Sequence, residues 1–197
     1  NRIEKSFALT PGTLGYDNGK AAGSTNIAVG NCEASVFRIE VPQTLTSVDF
    51  WQGSGVELAP INSNARVSVR VYDASTGTPT VLLASTGLRS FPRQGQKWVT
   101  YEFVPPVALQ AGTYAFSLCT DVPPTTGGTN MGLDQEGSPF DMEGPLSRYY
   151  NMGIEWFSMN NGTAWNPEFT RIFGGKMIRP NFVTGSDVGV VSIDYPP

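Results

Sequence analysis

The side chains that could serve a ligand in this chain are aromatic and acidic. Trp51, Trp98, Trp156 and Trp165, joined by Tyr149 and Tyr150, offer ring faces that stack on the C–H side of a pyranose while nearby Asn and Asp bond its hydroxyls. Which rings are available depends on where the chain puts them. Trp98 and Trp156 fall inside runs that read as strands, where packing into a core is the ordinary use of an indole. Trp51 precedes Gly53-Ser54-Gly55 and Trp165 follows a tight turn, so both can stand exposed. Tyr149 and Tyr150, as neighbours on a strand, send one ring to each face. The candidate ligand-binding set is Trp51, Tyr149, Tyr150 and Trp165.

Asp134, Glu136, Asp141 and Glu143 lie in a stretch dominated by turn residues, and carboxylates at irregular spacing suit Ca²⁺, which also takes backbone carbonyls. The run DQEGSPFDME does not have the spacing of an EF-hand loop, and a solvated acidic loop is the plainer reading of the same residues. Carboxylate pairs also cleave glycosidic bonds when held about 5 to 9.5 Å apart. Glu102 and Glu155, both on strands, are the least implausible pair, but no spacing in the sequence brings them together.

Histidine is absent, which removes the commonest general base near neutral pH and the commonest transition-metal ligand. There is no G-x-S-x-G elbow, and Gly127-Gly128 lacks the following Gly-Lys-Ser/Thr of a phosphate loop. The residues point to a noncatalytic protein. Cys32 and Cys119 are the only thiols, too few for a four-ligand zinc site. They can form one disulfide if the chain is exported, or remain two free thiols. Asn161-Gly162-Thr163 fits an N-glycosylation acceptor in a eukaryotic secretory setting.

The elements that must position these groups read as strands throughout. Arg66 to Tyr72, RVSVRVY, alternates most sharply, with Val67, Val69 and Val71 inward. Glu33 to Val41, Leu45 to Phe50, Val81 to Ala84, Met131 to Leu133, Arg148 to Phe157 and Asp187 to Tyr195 read the same way. Lys176 to Val183 is a further run, with Pro180 marking an edge, a bulge or a boundary. Asn160-Asn161-Gly162 is the strongest hairpin signal. In Lys97 to Cys119, two alternating runs flank Pro105 to Gly112 and look antiparallel. That eight-residue connection is long for a hairpin, so the two strands can instead lie in opposite sheets with PPVALQAG as the arch. No segment carries the apolar spacing of a stable helix. About ten short strands separated by Gly, Pro and Asn turns predict an all-β fold, a jelly-roll-like antiparallel β-sandwich.

Composition agrees with a turn-rich β domain: 197 residues contain 22 Gly and 15 Pro, and only 15% are charged against roughly 25% in ordinary soluble domains. A net charge of −4 gives no electrostatic footprint for nucleic acid or an anionic membrane surface. No apolar run reaches the ~18 to 20 residues that span a bilayer. Residues 1–184 read as a single domain, and 185–197 as a C-terminal strand or the start of a linker to a following module. The absence of an initiator Met at Asn1 marks a mature or excised segment.

The motifs YDNG, SVFRIEV, LTSVDFW, VSVRVYD with its TGTP loop, WVTYEFVPPVALQAGTYAFSL, MGLD, EWFSMNNGTAW and KMIRPNF follow one another from Tyr16 to Phe182. In this order the chain resembles the β-sandwich modules of large secreted and cell-surface proteins of Bacteroidota, many exported by the type IX system. The resemblance implies an extracellular or cell-surface adhesion module within a longer chain, its partner a glycan or a surface protein. The alternative is a structural spacer or assembly module, motivated by the alternating, mostly uncharged segment Val188 to Tyr195, which can add to a sheet edge in its own or a neighbouring copy. Jelly-roll binding modules hold a structural Ca²⁺ between an early loop and a late strand, which by analogy nominates Asp17, Asn18 and Asp194. With Asp134, Glu136 and Asp141 these make up the candidate metal set.

Overall fold

Alternation of apolar and polar residues lets a strand bury one face while the other meets solvent, and the alternating runs that the structure describes all lie in sheets. The computed structural model describes residues 14–15, 17, 21, 23–52, 66–90, 97–122, 129–134, 155–167 and 175–183. In chain order the strands are β1 (Gly23–Ile27), β2 (Cys32–Ile39), β3 (Gln43–Gln52), β4 (Arg66–Asp73), β5 (Leu82–Ser85), β6 (Arg89–Ser90), β7 (Lys97–Leu109), β8 (Gly112–Val122), β9 (Thr129–Asp134), β10 (Glu155–Ser158), β11 (Asn166–Pro167), β12 (Gly175–Lys176) and β13 (Ile178–Val183). The described residues contain no helix. Asp187 to Tyr195 and the first half of the run Arg148 to Phe157 lie outside the described residues.

The strands form two antiparallel sheets, a jelly-roll-like β-sandwich. One sheet has six strands in the order β1-β9-β3-β13, with β7 paired to β3 and β12 to β9. The other has seven in the order β11-β10-β2-β8-β4-β5, with β6 paired to β4. The stretch Lys97 to Cys119 is not a hairpin: β7 pairs with β3 in the first sheet, and β8 lies between β2 and β4 in the second. The chain crosses between sheets in only Gln110-Ala111, where the Tyr114 hydroxyl donates to the Gln110 carbonyl at 3.0 Å.

Pro105 and Pro106 do not end β7, as an arch over PPVALQAG requires. Glu102 pairs with Ser47 and Val107 with Leu45, so four residues of β7, Phe103 to Pro106, face the single residue Thr46 of β3. In that bulge the ladder is interrupted, and prolines lose no hydrogen bond that the sheet needs. Pro180 is likewise carried within β13, next to a register shift at Asn181/Phe182. β1 was not legible as a strand because GSTNI has no alternation; its pairing with β9 is carried by the backbone.

Between the sheets lies the main core. Leu45, Val48, Phe50, Tyr101, Phe103, Ile178 and Phe182 from one side meet Phe37, Ile39, Val67, Val69, Val71, Phe116 and Leu118 from the other. Phe116 packs edge-on against Phe37 in its own sheet, and against Phe182 across the sandwich with centroids 6.4 Å apart. Each such ring contributes roughly 1.5–3 kcal/mol when fully buried. A second, smaller cluster forms on the far side of the seven-stranded sheet, where Ala34, Val36, Tyr72, Ala74, Ala115 and Trp156 receive Trp165.

Tyr101 points into the main core, 4% exposed, edge-on to Phe50, and its hydroxyl has no hydrogen-bond partner. Burial pushes the phenol above the ordinary tyrosine range, because the phenolate cannot be solvated there. The neutral form is the one the fold favours, so this contribution is intact below about pH 10 and is lost as pH rises toward the folded value. Tyr101→Phe removes an unsatisfied buried hydroxyl and should raise unfolding free energy by about 1 kcal/mol. Denaturant unfolding at neutral pH checks the gain, and the same measurement above pH 10 should show a smaller alkaline decline than the parent chain.

Candidate functional site

On β3 the residues alternate with those in the core, so Ser47, Asp49 and Trp51 face away from it. Directly opposed residues of neighbouring strands share a face. Trp51 is opposite Trp98 of β7; Asp49 is opposite Thr100 of β7 and Arg179 of β13; Ser47 is opposite Glu102 and Asn181. The outer face of the six-stranded sheet thus carries an aromatic row beside two polar rows.

The rows are tied together. The rings of Trp51 and Trp98 meet edge to face, 5.6 Å between centroids and 84° apart. The Arg179 guanidinium lies 4.0 Å from the centre of the Trp98 ring, close enough for a cation–π contact. Asp17 grips the same guanidinium twice, accepting from Nη2 at 2.5 Å and from Nε at 3.2 Å. Asp17 reaches this place because the Leu14 amide donates to the Pro180 carbonyl and lays the early chain along β13. Asn181 donates to Ser47 Oγ at 3.2 Å. Gly132 of β9 gives Trp51 its room, since a Cβ there would collide with Cδ1 of the indole.

Two polar atoms of this face are left over. Trp51 Nε1 and Asp49 Oδ1 are buried and have no hydrogen-bond partner. They belong to residues two apart on the same face of β3, one a donor and the other an acceptor. Both are closed to solvent, so the surface that a ligand meets is the half-buried Trp51 and Trp98 rings beside Arg179. Of the five N–H donors of a guanidinium, Arg179 gives two to Asp17. Its Nη1 group makes no hydrogen bond among the described residues and remains for a ligand. Among the described residues, three carboxylates, Asp17, Asp49 and Glu102, stand against one guanidinium on this face, which suits a neutral polyol better than an anion.

Of the residues proposed from sequence, Trp51 belongs to this face and is half-buried. Trp165 does not: it is half-buried on the opposite side of the molecule, edge-on to Tyr72 at 5.2 Å, its Nε1 buried without a partner. It lies there because the turn at Asn161-Gly162, both with positive φ, folds back over the seven-stranded sheet. Arg70 holds the turn through Asn161 O at 2.7 Å and Asn161 Oδ1 at 2.9 Å. Tyr149, Tyr150, Asn18, Glu136, Asp141, Glu143 and Asp194 lie outside the described residues. Asp134 pairs with Gly175 through the backbone. Asp17 has its oxygens on Arg179, and no three Asp, Glu or Cys among the described residues group as metal ligands. Cys32 and Cys119 are directly opposed on β2 and β8 and form a disulfide within the seven-stranded sheet.

Glu102 and Glu155, the carboxylates considered for hydrolysis, occupy different places. Glu102 is exposed on the outer face, while Glu155 is 2% exposed inside the sandwich. There Glu155 forms part of a buried ionic group that the sequence pattern did not reveal. Lys176 of β12, fully buried, places Nζ 2.9 Å from Glu33 Oε2 and 3.2 Å from Glu155 Oε2. The same ammonium donates to the carbonyls of Trp156 at 3.0 Å and Ala34 at 3.4 Å. Ser35 Oγ is 3.0 Å from both oxygens of Glu155. A lysine of one sheet therefore anchors on β2 and β10 of the other.

No protein-family model and no curated protein matches this chain. Two solved structures are similar to it. One shows the cysteine protease and lectin-like domains of Cwp84, a surface-layer-associated protein of Clostridium difficile, with TM-score 0.48 and 15% identity over 78% of this chain and 32% of that one. The other is a variant of the clostridial cysteine protease Cwp84 after propeptide cleavage, with TM-score 0.53 and 15% identity over 87% of this chain and 40% of that one. At this identity the likeness is one of fold. The chain spans less than half the length of either.

Replacing Lys176 by Met keeps the bulk of the side chain and removes the ammonium that both carboxylates face. Removing one partner of a buried ion pair costs about 3–5 kcal/mol. Urea unfolding of Lys176→Met should show a loss of that size, whereas Lys97→Met, on the exposed start of β7, should leave stability within about 0.5 kcal/mol of the parent.

Proposed function

We propose that this chain is a noncatalytic extracellular binding module that recognises a neutral glycan on the outer face of its six-stranded sheet. The observation that carries the reading is the half-buried Trp51–Trp98 corner beside the pre-ordered Arg179, whose guanidinium lies 4.0 Å from the centre of the Trp98 ring. Aromatic rings supply area for the C–H side of a sugar, and the guanidinium supplies direction for its hydroxyls. The position of an arginine gripped by Asp17 is fixed before the ligand arrives, which lowers the ordering cost of binding. The absence of histidine and the separation of Glu102 from the buried Glu155 support a role without catalysis. The Cys32–Cys119 disulfide supports an oxidising, extracellular setting.

A glycan array probed with the folded chain should give neutral saccharide hits. Trp98→Ala and Trp51→Ala should each weaken the best of them at least about tenfold, the equivalent of ~1.4 kcal/mol, with the circular dichroism spectrum unchanged. A blank array from folded protein removes the sugar reading.

A second reading, a spacer or assembly module, is favoured by one surface. Val81, Leu82, Leu83 and Leu88 are exposed on and beside β5, the outermost strand in the order of the seven-stranded sheet. An uncharged apolar edge strand invites pairing with another chain. Sedimentation should then show concentration-dependent association that Leu82→Lys abolishes; a monomer at every concentration excludes self-association through this edge.

A further inference from the structure

The buried group of Lys176, Glu33 and Glu155 contains an amine nucleophile, a carboxyl electrophile and a second carboxyl able to carry a proton. We propose that Lys176 and Glu33 condense to an intramolecular amide that joins the two sheets covalently, with Glu155 as the proton carrier. The arrangement described above is the state before that bond forms.

Geometry assigns the roles. Glu33 Oε2 is the nearer carboxylate oxygen to Nζ, at 2.9 Å against 3.2 Å for Glu155. Glu155 is held in orientation by Ser35 Oγ and by the Lys176 amide, which donates to Oε1 at 3.4 Å. The carbonyls of Ala34 and Trp156 hold the lysine tip in place, so it cannot withdraw from Glu33. Held together in this way, the two reactants act at an effective concentration far above any attainable in solution.

Burial supplies the protonation state. The ammonium and the two carboxylates are held where solvent does not spread their charge, and the two carboxylates on one lysine repel each other. Both effects favour moving the ammonium proton onto Glu33, which gives a neutral amine facing a carboxylic acid. The Nζ lone pair then adds to Cδ of Glu33. The Glu155 carboxylate takes a proton from nitrogen as the C–N bond forms. It returns that proton to the departing Glu33 oxygen, and the C–O bond breaks to release water. One amide and one water are formed from one amine and one acid, and no oxidant or cofactor takes part.

The bond would fall next to the disulfide in sequence, since Cys32 precedes Glu33. The start of β2 would then be tied to β8 in its own sheet by sulfur and to β12 in the facing sheet by nitrogen. Such a clamp resists unfolding under conditions that reduce disulfides, which suits a module at a surface.

Intact mass spectrometry of the folded, reduced chain tests the proposal directly. The expected mass is that of the sequence less one water, and protease digestion should give a branched peptide linking Lys176 to Glu33. Lys176→Arg and Glu155→Gln should show the full unlinked mass. Should either variant fail to fold, the mass of the parent chain alone still decides. A folded parent at full mass overturns the proposal, and so does a water loss mapped anywhere other than Lys176–Glu33.

Discussion

The ammonium of Lys176 is the interaction on which the register between the two sheets depends. A cation with no solvent contact needs acceptors on every side, and those it has come from β2 and β10, in the sheet opposite its own. Apolar packing alone tolerates sliding, because one methyl group replaces another at little cost. The four oxygens around Nζ do not tolerate it. With β12 fixed, β13 follows after one residue, Met177, and lies along β3. Arg179 is then on the outer side, opposite Asp49, so the buried cation inside the sandwich and the half-buried one on its outer face are set by the same short segment.

That segment explains the outer face. Residues 178 to 182 alternate between interior and surface, and the three outward-facing rows form only because β7, β3 and β13 are in register. Asp17 adds a constraint from far away in sequence, as the early chain lies along β13 and its carboxylate closes over Arg179. The opposite side of the molecule is different in kind. There the loop after β10 folds over the seven-stranded sheet, and Tyr72, Trp156 and Trp165 fill the space above small residues such as Ala34 and Ala115. Among the described residues, one sheet has its outer face covered by the loop after β10, while the other carries half-buried tryptophans and polar groups.

Much of the fold was legible because period-two alternation is a direct record of which face is buried. Val67, Val69 and Val71 are inward as read, and Tyr101 and Phe103 are buried while Glu102 and Val104 are exposed. Strand limits were less legible where proline appeared. Pro105 and Pro106 looked like a loop, yet a bulge opposite Thr46 removes the demand for their missing N–H groups. The site was legible only in part. Trp51 was singled out for its flanking glycines, but Trp98 was assigned to the core, because alternation distinguishes two faces without saying which one a sandwich turns inward. Trp165 follows a turn, and nothing local records that the turn folds back onto Tyr72. Lys176 and Glu155 are charged residues in apolar runs, and their pairing spans strands that only the fold brings together.

The proposed ligand recognition resides on the face built by β3, β7 and β13. Titration of the isotope-labelled chain with a panel of neutral saccharides, followed through the indole N–H resonances of the four tryptophans, tests it most directly. Binding should move the signals of Trp51 and Trp98 and leave those of Trp156 and Trp165 in place; shifts confined to Trp156 and Trp165 put the ligand on the opposite side of the molecule and overturn the assignment.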